Sequence, residues 1–389
     1  MEKINVLIID GHDRRALASV RSLGSSSEYN IFIGSNKRLN SSRYSKYCER
    51  FFLYRNPDDN IKGFIQDVND ILISQKVHVL IPMDDRMASY VAENKYSFSQ
   101  DTKILIPDWE IFKIARDKSL TLETADKIGI PIPRSFQIEE ALKLKEASFP
   151  LIIKPTVSSA SIGMSVVKSQ SDLKNVYNDI NKRFPNPLIQ EMIPQGGHYQ
   201  ANVIFDKSSN LVCCSVKNKI REFPLSGGPS TFFRTVDYPI IEQYAEKLLK
   251  AINWIGPAEV EFMVNPKTNE PILMEINPRM SATIILSIKA GMNFPEYIVN
   301  CALDKNKISG LRNKKFNLFC QWLIPGDLSN FLFNKNRFSD KYGYFYKKGI
   351  KCYHMTFDKN DIKPFLVNFY IVAKSIINPS KIKRFIFRK

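Results

Sequence analysis

Two short apolar runs constrain this chain more than any other feature. They are "AEVEFMV" (258–264) and "PILMEIN" (271–277), joined by "NPKTNE". Strand side chains repeat every two residues. Glu259 and Glu261 therefore share one face of the first run, while Glu275, Asn277 and, just beyond, Arg279 share one face of the second. A hairpin centred near Thr268 sets Glu261 opposite Glu275 and Glu259 opposite Asn277. Like charges directly opposed across strands destabilise a sheet, so the fold must have a use for this stripe.

A cation resolves the repulsion. Every donor is an oxygen, which favours Mg²⁺ or Mn²⁺ over zinc. Glu261 and Glu275 are expected as carboxylate ligands, with Asn277 completing a second metal and Arg279 within reach of the phosphoryl oxygens the metals share. The competing reading is a salt-bridged hairpin facing solvent. Glu259 suits either a surface position or a place behind the ligands.

The rest of the chain sorts into regions. "INVLIIDG", "NIFIGS", "VHVLIP" and "TKILIP" read as strands, with helices in "RRALASVRSLG" and "DNIKGFIQDVNDILISQ". Strands alternating with helices predict a doubly wound α/β domain. No GxGxxG follows its first strand, which argues against a dinucleotide site. Beyond Pro107, "WEIFKIARDKSLTLETADKIG" predicts a helix. "FPLIIKP" ends a strand at Lys154, and "PLIQEMIP" runs into a turn. "HYQANVIFDKSSNLVCCSVKNKI" reads as a hairpin and "IIEQYAEKLLKAINWIG" as a helix, an α+β grouping.

Composition sets limits on function. The 389 residues exceed one ordinary core. The amino-terminal apolar run is short, and no stretch nears the roughly 20 apolar residues of a membrane span. Six cysteines without a CxxC pair and four scattered histidines argue against zinc or a disulfide framework and for a reducing, cytoplasmic location. Residues 335–389 hold 14 Lys+Arg against 3 Asp, so 11 of the 17 net positive charges sit there. A nucleic-acid enzyme would carry its basic surface around its site, so no nucleic-acid partner is expected.

Lys118 in "ARDKS", Lys154 in "IIKP", then "QEMIP", "EVEF" and "MEINPR" follow one another in a familiar order. The chain resembles the ATP-grasp superfamily over residues 1 to about 310, in the style of its carbamoyl-phosphate-synthase-like, carboxylate–amine ligase branch. The resemblance implies an α/β plus α+β architecture. A Rossmann-like pre-ATP-grasp domain spans 1–110 and an ATP-grasp domain 111–310, with a small lid at about 120–195; a basic carboxyl-terminal extension covers 311–389. It implies ATP and Mg²⁺ (or Mn²⁺) as cofactors and carboxylate and amine substrates. The carboxylate is activated as an acyl-phosphate and joined to the amine, releasing ADP and phosphate.

The site residues carried over are as follows. Lys118 lies at the edge of the nucleotide cleft, and Lys154 contacts the α- and β-phosphates. Glu191, after Gln190, meets the adenine amine, with the backbone of Met192 and Ile193 reading the ring edge. Glu261, Glu275 and Asn277 hold metal, and Arg279 stabilises the transferred phosphoryl group. The phosphate loop "TVSSASIG" is poorer in glycine than is usual, leaving the hydroxyls of Ser159 and Ser161 as phosphate contacts. His198 stands where an acidic residue usually meets the ribose. From their own charges, Lys217, Lys219, Arg221 and Arg234 are expected either around the second substrate or in a surface loop whose charges are solvated. Asp84 and Asp85 are expected either to bind the amine or to cap a helix.

Two alternatives remain open, a non-catalytic or regulatory ATP-binding protein and a biotin-carboxylase-like carboxylating enzyme. The basic, aromatic end of the chain reads either as a helix docked on the body or as a segment lying on an anionic membrane.

Overall fold

The computed structural model describes residues 2–158, 161–305, 309–313, 315–345 and 349–376. The chain opens with β1 (Ile4–Ile9), α1 (Arg14–Gly24), β2 (Tyr29–Ser35), β3 (Arg50–Leu53), α2 (Ile61–Ser74), β4 (Val79–Ile81) and α3 (Asp85–Glu93). These strands form a parallel sheet of order β3-β2-β1-β4. Leu7, Ile8 and Ile9 are fully buried, as expected for a strand covered on both faces. "TKILIP", expected as a strand, makes only a bridge from Lys103 to Val79. Leu105 then leaves the sheet and presses its carbonyl against Gly256, where a Cβ would lie 2.3 Å away.

The helix expected after Pro107 is two helices, α4 (Trp109–Arg116) and α5 (Lys118–Lys127). Asp117 separates them. Its backbone is extended (φ −91°, ψ 117°), and its carboxylate accepts from the backbone N–H groups of Ser119 and Leu120. An acidic N-cap of this kind ends one helix and starts the next. It leaves Lys118 as the first residue of α5.

Next come β5 (Ser135–Phe136), α6 (Ile138–Ala141), β6 (Leu151–Lys154), β7 (Ser165–Val167), α7 (Gln170–Asn181) and β8 (Leu188–Glu191). Their sheet, β5-β8-β6-β7, has its own small core of Leu151, Ile153, Val167, Leu173, Ile180 and Ile189.

The largest sheet follows. It is built from β9 (His198–Phe205), β10 (Leu211–Glu222), β11 (Ser230–Thr235), β12 (Gly256–Val264) and β13 (Pro271–Asn277), with α8 (Pro239–Ala251), α9 (Ile284–Lys289) and α10 (Phe294–Ala302). β14 (Leu311–Arg312), β15 (Phe319–Gln321), α11 (Leu328–Phe333), β16 (Cys352–His354) and α12 (Lys363–Ile376) complete the described chain. The strand order is β13-β12-β9-β10-β11-β15-β16, with β14 beside β10. One apolar cluster joins this sheet to the first. It unites Val6, Ile8 and Ile33 with Ile284, Phe294 and Ile298 and with Cys213 and Phe233.

Candidate functional site

The β12–β13 hairpin has the register its charges require, Glu259 opposite Asn277 and Glu261 opposite Glu275. On its other side β12 pairs with β9, setting Glu261 against Gln200 and Glu259 against Asn202. His198, Gln200 and Asn202 therefore continue the same polar face.

Glu261 is the hub. Its Oε2 lies 2.6 Å from His198 Nε2. Its Oε1 accepts from Asn277 Nδ2 at 3.0 Å and from Gln200 Nε2 at 3.3 Å. Burial works to raise this carboxyl's pKa, but the bond to His198 and the charges of Lys219 and Arg279 outweigh it and hold the group well below the usual carboxylate range. Glu275 Oε1 accepts from the same Asn277 amide at 3.4 Å, while its Oε2 faces Lys118 Nζ at 3.2 Å. Lys118 Nζ also donates to the Ser158 carbonyl in the loop after β6, at 2.9 Å. Lys154, at the end of β6, is 8% exposed. Burial pushes its ammonium down to about 8, against the pull of Glu275.

Arg279 and Glu259 form a second layer. Glu259 is 3% exposed, buried rather than on the surface. Its Oε1 accepts from Arg279 at 2.7 Å, and its Oε2 accepts from the Ser281 hydroxyl. Asp85 Oδ1 lies 3.2 Å from Arg279 Nε. Burial works against the guanidinium's charge, yet Asp85 and Glu259 together raise its pKa further. Thr283 extends the network from Ser281 at 2.7 Å to the fully buried Lys217 at 3.2 Å. Burial lowers the Lys217 amine to about 7.

Asp85, Arg116, Lys118, Ser158, Glu275 and Asn277 line a cleft of about 240 Å³. Asp84 caps α3 by accepting from Met87 N–H at 2.7 Å. At the ends of β1 and β4, where the first sheet's order reverses, Asp10 and His12 converge with Asp84.

The expected adenine residues lie on and after β8. Gln190 is buried and donates to Ser135 Oγ at 2.9 Å. Glu191 is exposed, with its carboxylate accepting from the Arg134 N–H at 2.9 Å. Met192 is half-buried and Ile193 buried. Ser161 sits against Gly227 of the β10–β11 loop, where a Cβ would meet its Oγ at 3.0 Å. Ser159 lies outside the described residues.

His198, expected at the ribose, also meets Glu261, because its strand places it on the carboxylate face. One expectation changes. Three of the cations expected around the second substrate are engaged inside the protein. Arg221 is clamped by Asp327 at 2.6 Å and Asp340 at 2.9 Å. Lys219 binds Glu222 at 2.8 Å and the Gly228 carbonyl at 2.9 Å, and Lys217 is fully buried. Arg234 donates to Asn317 at 3.3 Å. Sequence reasoning missed Gln200, Asn202, Ser281 and Thr283. The alternation in "HYQAN" and "MSAT" was the available signal.

Residues 117–302 match the family model described as "Carbamoyl-phosphate synthase L chain, ATP binding domain". The carbamoyl phosphate synthase large chain of Campylobacter jejuni is 28% identical over 242 residues, spanning 58% of this chain and 22% of that protein. The pyruvate carboxylase of Bacillus subtilis is 28% identical over 233 residues, spanning 56% of this chain and 20% of that one. The chain thus covers about a fifth of these relatives' length. Among solved structures, biotin carboxylase from Campylobacter jejuni superposes with a TM-score of 0.67 at 18% identity, over 82% of this chain and 74% of that one. N5-carboxyaminoimidazole synthetase from Staphylococcus aureus gives 0.64 at 14% identity, over 90% and 92%. Residues 117–302 thus match an ATP-grasp ATP-binding domain, and the chain has the mixed α/β ATP-grasp fold of these solved structures.

Proposed function

We propose that this chain is an ATP-dependent ligase that activates a carboxylate as an acyl-phosphate and joins it to an amine, releasing ADP and phosphate. The carrying observation is the convergence of Glu261, Glu275 and Asn277 on one another, next to Lys118 and beside a cleft. A salt-bridged surface hairpin would not bury Glu259 and Arg279 behind that cluster.

The donor set fits Mg²⁺. Two facing carboxylates and an amide offer only oxygen ligands, and a single bridging amide now sits between them. Glu261, Glu275 and Asn277 would hold the ion, which would neutralise charge on the ATP phosphates. Lys118 and Lys154 supply positive charge to the phosphates, and Ser161, with Ser159, supplies hydroxyl donors. Gln190, Glu191, Met192 and Ile193 are assigned to the adenine. His198 is assigned to holding Glu261 in place. Arg279, fixed from both sides, meets the transferring phosphoryl group. Phosphoryl transfer depends mostly on positioning and charge neutralisation, so no covalent protein nucleophile is required.

The same reading takes the first parallel sheet, residues 1–110, as the Rossmann-like pre-ATP-grasp domain. It takes 111–310 as the ATP-grasp domain with its lid at about 120–195, and 311–389 as a basic extension. Small-molecule carboxylates and amines are the expected substrates.

A second reading, carboxylation with bicarbonate, is favoured by the fold shared with biotin carboxylase and N5-carboxyaminoimidazole synthetase. One experiment separates them: phosphate release from Mg-ATP with pooled carboxylates and amines, or with bicarbonate and only nitrogen acceptors (the amines and biotin amide), beside Glu275→Gln. Turnover requiring both an acid and an amine, and lost in the variant, supports the ligase. Turnover with bicarbonate and no other acid supports carboxylation. ATP binding without turnover under any condition would overturn both in favour of a regulatory nucleotide-binding role.

A further inference from the structure

The last described helix, α12, is fastened on one side and bare on the other. Asp361, just before it, is buried and accepts from Arg21 Nε at 2.9 Å, Ser45 Oγ at 2.7 Å and Lys46 N–H at 3.0 Å. Pro364 turns inward. The opposite side presents Ile362, Leu366, Phe369 and Tyr370, of which the last three are each more than half exposed. Their spacing of three and four residues stacks them on one face of a helix. A soluble surface seldom leaves such a run of large apolar side chains bare without an interaction to serve.

From Ile362 onward the sequence carries charge of one sign. From Ile362 to Lys389 the sequence has seven Lys and Arg and no Asp or Glu. Five of the seven fall in "KIKRFIFRK", interleaved with Ile382, Phe385, Ile386 and Phe387. No described helix is long and apolar enough to cross a membrane. Exposed aromatic and aliphatic residues on a helix, together with only cationic charges, are the pattern of a segment that lies in a lipid interface.

We propose that the exposed face of α12, with the basic sequence that follows it, docks this protein on the surface of an anionic lipid bilayer. A second copy of the chain is a poorer occupant, because it would bring the same seven positive charges against these. A nucleic acid would match the charge but leave Leu366 and Phe369 without an apolar partner. The inference stands apart from the ligase reading. It concerns where the protein acts, and it survives whichever substrate is found.

Vesicle flotation of the full chain tests it, with vesicles of equimolar phosphatidylcholine and phosphatidylglycerol beside vesicles of phosphatidylcholine alone. The protein should float with the anionic vesicles at low salt, stay behind with the neutral ones, and be released at about 1 M salt, where the screening length falls to about 3 Å. Leu366→Glu/Phe369→Glu places charge on exposed positions away from the cleft. It should abolish flotation while leaving circular dichroism and phosphate release unchanged. Replacing Lys381, Lys383 and Arg384 by glutamine should weaken partitioning about 100-fold, at about fivefold for each basic residue. Failure to float with anionic vesicles overturns the proposal. So does flotation of the Leu366→Glu/Phe369→Glu protein at the wild-type level. A concentration-dependent dimer, abolished by that variant in light scattering without lipid, would assign the face to a second copy instead.

Discussion

Replacing Glu259 by glutamine keeps the side chain's shape and removes one charge from beside Arg279. Glu259 Oε1 accepts from the guanidinium at 2.7 Å and Oε2 accepts from Ser281. A hydrogen bond involving a charged group contributes about 1.5–3 kcal/mol net, and a neutral one about 1 kcal/mol. Glutamine keeps a neutral oxygen for Arg279, so the expected loss over the two bonds is about 2 kcal/mol. That is less than the roughly 3–5 kcal/mol of a fully broken buried pair, because Asp85 remains 3.2 Å from Nε. At about 1.4 kcal/mol per factor of ten, the turnover number of acceptor-stimulated phosphate release should fall about thirtyfold. The segment proposed for the adenine, Gln190 to Ile193, makes none of these contacts, so the KM for ATP should hold. Steady-state phosphate release at varied ATP, beside direct binding of a fluorescent ATP analogue, measures both. A turnover number within twofold of wild type, or a loss confined to KM, would refute the idea that Glu259 acts by aligning Arg279.

Lys118→Met removes the ammonium that joins Glu275 to the Ser158 carbonyl. It should weaken ATP binding by about 1.5–3 kcal/mol in calorimetry, and an unchanged affinity would exclude Lys118 from the nucleotide site. The Lys154 ammonium, lowered by burial to about 8, loses its charge as pH rises through that value. ATP affinity should therefore decline above about pH 8 and become flat in Lys154→Arg; a flat wild-type profile from neutral pH upward would count against it. Asp361→Asn should destabilise the segment around α12 by about 3 kcal/mol, read as faster hydrogen exchange there. Burial works to raise the Asp361 carboxyl's pKa, but its bonds to Lys46, Arg21 and Ser45 hold it below the ordinary 3.8. Its stabilisation is therefore complete above that value and lost as pH falls through the folded one. Acid should release the segment in the wild type, whereas the variant's exchange should not change over that range.

The hairpin was the most legible part of the site, because opposed charges at alternate positions admit few registers. Glu261 and Glu275 face each other as their spacing implies. The helix break at Asp117 was harder to see, since "ARDKS" continues a helical apolar pattern and only the capping carboxylate interrupts it. "TKILIP" looks like a strand locally, but its second half is used to cross from one sheet to the next, with Leu105 packed on Gly256. Arg221 was misread for a different reason. Its partners, Asp327 and Asp340, lie 106 and 119 residues further along, and no local pattern announces a pairing at that range. His198 was placed by homology of position, when the alternation of its own strand already put it on the face of Glu261.

The bond between Arg21 and Asp361 spans 340 residues of chain. The core under the first sheet is likewise completed by Ile284, Phe294 and Ile298. At about 5–20 residues per second of synthesis, helix α1 waits roughly 17–70 seconds for the partner that fastens its outer side. Before residues 284–298 follow, α1 and the first sheet pack on each other without Ile284, Phe294 and Ile298. The first sheet is thus made well before the segments that complete its packing, and a chaperone attending the growing chain would meet it in that incomplete state.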